Sequence, residues 1–326
     1  MIESYFQTLS ALKIFLKKGG VVRLPLKLLL PDQIPTRSLL DHGPRAIFLT
    51  GIHRSGTSWV GHVIAQAEGT NYWREPFNPS CGICKRQQYL YLTRDSEDTY
   101  YKHFTDSLFK GRYVGRNPDR VKRPQWFKSN SSEYRSFIKD PTGAFVLDWL
   151  NYHYNIDSLI LLRHPAAFVS SVCRLAWDFD FNRFLRQEQL MKDWLLPYRD
   201  LFVEHNYGGM TVQKASVLWG AVYTVLWGLI CRDSYYWKRY EDICNNPMEE
   251  FNDIFTKLKL PWSSKIGKAI YSSINGKLTF SQERDSWERS TTEMAKIWKA
   301  RLSSNEIEII RNTVATFGLK MYDNDW

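Results

Sequence analysis

Residues 45–67 read Arg45-Ala46-Ile47-Phe48-Leu49-Thr50-Gly51-Ile52-His53-Arg54-Ser55-Gly56-Thr57-Ser58-Trp59-Val60-Gly61-His62-Val63-Ile64-Ala65-Gln66-Ala67. The unbroken apolar run at 46–49, halting at Gly51, is the pattern of a short strand buried on both faces. From Ser58 onward the apolar residues Trp59, Val60, Val63, Ile64 and Ala67 return at helical spacing. Between strand and helix stand two glycines in GxxxxG spacing, followed by the hydroxyl residues Thr57 and Ser58. Such a turn can point successive backbone N–H groups inward at a phosphate, which then also lies at the positive end of the following helix. A phosphate loop of the ATPase kind has Lys after its second glycine. Here that position is Thr57, and Arg54 inside the loop supplies a cation whose planar fork suits a phosphate or sulfate.

The same alternation continues outward. Residues 136–139 read as a second strand ended by Asp140-Pro141, and 157–162 as a third whose unbroken apolar character implies cover on both faces. Pro165 suits the first turn of a helix running through Phe168 and Val172. Residues 235–240 read as a further strand, and Asn246-Pro247 with Glu249 and Glu250 as a helix start. Residues 72–79 and 111–124 are the longest departures from periodicity. Together these imply an α/β fold of three layers, a mostly parallel central sheet flanked by helices, of P-loop nucleotide-binding type. Ligands then belong at the carboxyl ends of the strands. Residues 1–44 read as a basic N-terminal extension and 45–326 as one domain.

Composition narrows the partners. A net charge of +10 favours acidic ligands: nucleotides, anionic glycans, nucleic acid or a membrane surface. Five cysteines form no disulfide framework, so a reducing, cytoplasmic location is expected. The lone CxxC of Cys81 and Cys84 lacks two further zinc ligands, and no metal site is expected. Lys13, Lys17, Lys18, Arg23 and Lys27 interrupt the apolar runs of the N-terminus, unlike a signal peptide. That segment reads as a packed extension or as an amphipathic helix at a membrane surface. Residues 215–231 are almost uncharged but shorter than the roughly 20 residues of a span, and read as a buried core helix. Arg112, Arg116, Arg120, Lys122 and Arg123 form a dense basic loop, either a solvated face or a cover for an anionic ligand.

The stretch Arg54-Ser55-Gly56-Thr57-Ser58-Trp59 resembles, position by position, the 5′-phosphosulfate loop of sulfotransferases that use 3′-phosphoadenosine 5′-phosphosulfate (PAPS) and release 3′-phosphoadenosine 5′-phosphate (PAP). The resemblance implies that Arg54 contacts the bridging and transferring oxygens. It also implies that Ser55, Gly56, Thr57 and Ser58 cradle the 5′-phosphate while Trp59 stacks on adenine. Leu159-Ile160-Leu161-Leu162-Arg163-His164-Pro165 with Ser170 and Ser171 resembles the family's 3′-phosphate motif, implying that Arg163 and Ser171 hold that phosphate. The family often has Asp where this chain has His164. Lys238-Arg239-Tyr240-Glu241-Asp242 resembles a structural segment of the family. Residues 287–289, Trp298-Lys299 and Leu302 resemble its C-terminal closing segment, which implies a donor contact for Arg289. No metal is implied.

For the proton, carbohydrate- and tyrosine-modifying members resemble this chain in placing a Glu soon after the first helix. Tyr72-Trp73-Arg74-Glu75-Pro76-Phe77 fits that pattern. Glu75 is the expected base, with aromatic neighbours lifting its pKa. The competing reading is a structural Glu paired with Arg74. Lys139 is expected to meet the transferring group, against the alternative of a surface lysine. His53 reads as an acceptor contact or as a backbone-satisfying His. The aromatic and charged segment 177–194 is expected to shape the acceptor pocket, and a carbohydrate or glycoconjugate hydroxyl is the expected acceptor. A P-loop kinase, a polyanion-binding module without activity, and an inactive nucleotide sensor stay open at this point.

Overall fold

The computed structural model describes residues 45–80, 84, 86–109, 135–274 and 291–326. The chain divides into two units, Met1–His42 and Gly43–Trp326. The N-terminal basic extension, Cys81, the basic loop at 111–124 and Arg289 lie outside the described residues.

Five strands, β1 (Ile47–Gly51), β2 (Thr70–Arg74), β3 (Arg135–Lys139), β4 (Asp157–Leu162) and β5 (Trp237–Arg239), form one sheet in the order β2-β3-β1-β4-β5. All four pairings are parallel. Because side chains alternate across a strand, β1 and β4 each feed two cores. Ile47, Leu49, Leu159 and Leu161 enter one, with the helix α1 (Thr57–Ile64), while Phe48, Ile160 and Leu162 enter the other. This division makes the fold three-layered, as expected from the unbroken apolar runs.

The chain leaves β1 for the far edge at β2, returns to pair β3 with one side of β1, and then lays β4 on its other side. The strand order therefore reverses at β1, the position at whose carboxyl end open α/β sheets bind their ligands. In register, Gly51 stands opposite Leu161, and Leu49 opposite both Lys139 and Leu159. The strand-end residues His53, Lys139 and Arg163 thus share one end of the sheet.

Two elements differ from the sequence reading. Thr70–Arg74, part of which falls in a stretch that reads as irregular, is β2. As an edge strand covered unevenly, it has no continuous apolar run to betray it. The last strand is only Trp237–Arg239, and Tyr240 instead opens a helix, α4 (Tyr240–Asn245). Between β4 and α4 lie α2 (Pro165–Arg174), with Pro165 at its first turn, and α3 (Val212–Asp233).

By length and composition α3 could cross a membrane, but 78% of its most apolar window is buried inside the protein. Two of its aromatic side chains fasten the end of β4. Trp219 Nε1 donates to the Arg163 carbonyl at 2.8 Å, and Tyr223 hydroxyl donates to the Leu161 carbonyl at 2.9 Å. Tyr223→Phe should therefore cost about 1 kcal/mol of stability. The loss should appear in urea unfolding as a lower midpoint at unchanged slope; an unchanged midpoint would contradict a fastening role.

Candidate functional site

The turn after β1 is shaped by close approach of its neighbours. A Cβ on Gly51 would lie 2.5 Å from the Leu161 carbonyl oxygen, and one on Gly56 would lie 2.1 Å from the Tyr240 ring. Gly56 also sits at φ 88°, a conformation that side-chain-bearing residues seldom adopt. Only glycine lets β4 and Tyr240 come this near the loop. Three other residues around the site have left-handed backbones without being glycine: Arg54 (φ 64°), Glu75 (φ 50°) and Tyr89 (φ 56°). Each costs about 1–3 kcal/mol and persists only where the surroundings enforce it, as at ligand sites.

One cationic corner is the loop and a second is the end of β4. Arg54 Nε donates to Ser171 Oγ at 3.0 Å, so the loop cation already meets the helix that follows β4. Arg163 is buried, with its guanidinium carbon 3.9 Å from the centre of the Tyr240 ring. Tyr240 touches Gly56, Trp59 and Arg163 together. It joins the two corners, a role that the sequence reading of its segment did not single out.

Ser55 Oγ, Trp59 Nε1, Arg163 Nε and Ser170 Oγ are buried and make no hydrogen bond among the described residues. All four lie on the two motifs. Folded proteins seldom leave such atoms unsatisfied; others among the described residues, such as Thr105 Oγ1 and Ser263 Oγ, lie away from these motifs. Trp59 itself is 5% exposed and meets Tyr240 and Phe251 edge-on. In this arrangement its ring offers little open face to an adenine, unlike the stacking role that the resemblance implies. His164 caps α2 by accepting from the Ala166 N–H at 3.2 Å. Burial and the charges of Arg163, Arg239 and Lys299 pull its pKa down to about 3, so the imidazole is neutral.

A third group assembles at the ends of β2 and β3. Lys139 is fully buried, which removes the surface-lysine reading, and its Nζ lies 2.5 Å from Glu75 Oε1. Glu75 also accepts from Asn78 Nδ2 at 2.8 Å. Burial pushes the Glu75 carboxyl up, but the charge and hydrogen bond of Lys139, with help from His53 and Asn78, bring it down to about 2. The expected upward shift is thus reversed, because the decisive neighbour is a buried cation rather than an aromatic ring.

Asp140, absent from the sequence-derived site, holds this group in place. Its carboxylate accepts from the N–H groups of Phe77 at 2.6 Å, Thr142 at 2.8 Å and Gly143 at 3.2 Å, and from the Thr142 hydroxyl at 2.7 Å. Burial, aided by the Glu75 charge, raises it to about 7 against those donors. His53 Nδ1 is 2.7 Å from the Tyr89 hydroxyl. Burial lowers its pKa to about 4, with Lys139, Arg54 and Arg183 adding to the fall against Glu75, so it too is neutral near pH 7. Trp177, 41% exposed, stands edge-on to His53 at 5.7 Å and 5.8 Å from the Arg54 guanidinium carbon. Among the described residues no cluster of His, Cys, Asp and Glu could hold a metal ion.

No family model matches the chain. It is 29% identical over 91 residues to carbohydrate sulfotransferase 1 of Mus musculus, a match covering 27% of this chain and 22% of that protein. The corresponding Rattus norvegicus protein matches at 29% over 87 residues, 26% of this chain and 21% of the relative. The match therefore spans about a fifth of the length of these curated relatives. Among solved structures, the sulfotransferase domain from the curacin biosynthetic pathway aligns with a TM-score of 0.47 and 15% identity over 85% of this chain and 98% of that one. A mouse sulfotransferase complexed with PAP aligns with a TM-score of 0.47 and 11% identity over 88% and 87%.

The Glu75–Lys139 pair has a pH signature. The folded-state value of about 2 lies below the ordinary 4.5, so the pair stabilises the protein fully above about pH 4.5 and loses that contribution as pH falls toward 2. The stability gap between the unmutated protein and Glu75→Gln should therefore be largest near neutrality and shrink across that window. A gap independent of pH in acid unfolding would disprove the pairing.

Proposed function

We propose that the protein is a sulfotransferase that moves the sulfuryl group of PAPS to an acceptor hydroxyl. The observation that carries this reading is the set of unsatisfied buried polar atoms on two motifs at adjacent strand ends, joined by Tyr240 and by the Arg54–Ser171 hydrogen bond. Two anion corners on one crevice suit a nucleotide phosphorylated at both ends, whereas a nucleoside triphosphate needs its cations along one chain. The Gly56 turn and the start of α1 would hold the 5′-phosphate, and Arg163 with Ser170 and Ser171 the 3′-phosphate. Arg54 would reach the bridging and transferring oxygens.

Lys139 and Glu75 would then divide the chemistry. The acceptor oxygen attacks sulfur, the bond from sulfur to the bridging oxygen breaks, and the acceptor proton passes to Glu75. PAP leaves with the bridging oxygen. At a pKa of about 2 the resting Glu75 is a poor base, and Lys139 is the cause. As negative charge gathers on the sulfuryl oxygens, Lys139 turns its charge toward them and releases its hold on the carboxylate. The burial of Glu75 then raises its proton affinity at the moment the acceptor hydroxyl ionises. The segment shared with carbohydrate sulfotransferase 1 supports a carbohydrate acceptor, and the exposed ring of Trp177 beside Arg54 offers a face for a sugar.

Glu75→Gln should keep PAP binding and lose about a hundredfold or more in turnover, the range for removal of a general base. Transfer of labelled sulfate to a panel of glycans measures it, and near-unchanged turnover would remove Glu75 from the mechanism. Arg163→Ala should weaken PAP while sparing adenosine 5′-phosphate. Equal binding of the two nucleotides by the unmutated protein would refute the donor assignment.

A further inference from the structure

We infer that Tyr322 is a positioning residue for nucleotide recognition: its hydroxyl holds Glu241 in a posture that leaves the Arg163 guanidinium open to a phosphate. The inference rests on the reading of Arg163 as the cation for the 3′-phosphate. Arg163 and Glu241 are both nearly buried, and the nearest approach between them is 3.5 Å, from Nε to Oε1. A charge-assisted hydrogen bond between such groups is ordinarily about 2.7–2.9 Å, and an Arg with a carboxylate readily forms two of them side by side. Here neither forms.

The reason lies in what else Glu241 accepts. Oε1 takes the His164 N–H at 3.1 Å, and Oε2 takes the Tyr322 hydroxyl at 2.9 Å. Both oxygens are engaged from other directions, so the carboxylate cannot swing into a fork with the guanidinium. Arg163 keeps its charge partner at a distance and lies instead against the Tyr240 ring, its guanidinium carbon 3.9 Å from the ring centre. Its Nε makes no hydrogen bond among the described residues, and Nη2 reaches the Met294 carbonyl at 3.3 Å.

The segment bearing Tyr322 is well anchored. Tyr322 is 3% exposed, and the Arg239 guanidinium carbon lies 4.6 Å from its ring centre. Arg239 is in turn ion-paired with Asp325 at 2.8 Å. His164 is stacked on Trp298 at 4.7 Å and met edge-on by Tyr322 at 5.1 Å and Trp326 at 4.9 Å. Burial raises the Tyr322 pKa well above its ordinary value, so the phenol stays a donor. Without that donor the Oε2 atom of Glu241 is free to turn onto Arg163, and an incoming phosphate must displace it.

Calorimetric titration of the full chain with PAP and with adenosine 5′-phosphate tests this. Tyr322→Phe should lower the preference for PAP about tenfold, the effect expected when a charge-assisted contact is contested, while adenosine 5′-phosphate binding stays within about twofold. In a Glu241→Gln background, where no carboxylate competes, Tyr322→Phe should leave the preference unchanged. Asp325→Asn, which loosens the same segment from its partly exposed end, should give a milder loss and serves if Tyr322→Phe does not fold. An unaltered preference in these variants, or equal weakening of both nucleotides, overturns the inference while a lowered preference in Arg163→Ala keeps the donor reading intact. If Arg163→Ala also leaves the preference unaltered, the donor reading itself is what fails.

Discussion

The ends of β1 and β4 lie so close that a single methyl group would not fit between them. A Cβ on Gly51 would sit 2.5 Å from the Leu161 carbonyl oxygen, and the rest of the crevice follows from that contact. It sets the loop after β1 directly beside the helix that starts after β4, so that Arg54 can reach Ser171. Tyr240 is then drawn into the corner where a Cβ of Gly56 would be. The sheet contributes rigidity through ladder hydrogen bonds, and α3 adds two more bonds to the same strand end. The cations are consequently positioned by tightly packed backbone, the property that the proposed electrostatic stabilisation of a developing charge would require.

Buried charge is handled differently at the two sides of the crevice. Around β2 and β3, Lys139 and Glu75 neutralise each other at hydrogen-bond distance, and Asp140 is satisfied by four donors of its own. Around β4, Arg163 is left incompletely paired. A buried ion pair gains little net stability over apolar packing, because desolvation offsets most of the attraction. Under the proposed function the tight pair would be the reactive one and the loose one the receptive one.

Much of this was legible in the sequence where the signal was local. The unbroken runs of β1 and β4 and the GxxxxG turn announced their structure because each needs only neighbouring residues to be recognised. Pro165 likewise marked the start of its helix through its own fixed φ. β2 was not legible, because an edge strand of Thr, Asn, Tyr, Trp and Arg has no distinguishing periodicity. The direction of the Glu75 shift was misjudged for a related reason: Trp73 and Phe77 are adjacent in sequence, whereas Lys139 arrives from a strand 64 residues away. Asp140 was read only as a strand end, and Tyr240 and Glu241 only as part of a structural segment, because their importance lies in partners gathered by the fold.

The left-handed backbones of Arg54, Glu75 and Tyr89 carry a consequence for how this protein tolerates change. At each of the three positions glycine or asparagine would relax the chain, and a valine or isoleucine would strain it further. Variants selected only for heat resistance should thus drift toward small, inert residues around the mouth of the crevice. If these residues serve the proposed transfer, robustness and chemical competence pull in opposite directions there, and a search that rewards the first alone would disarm the molecule.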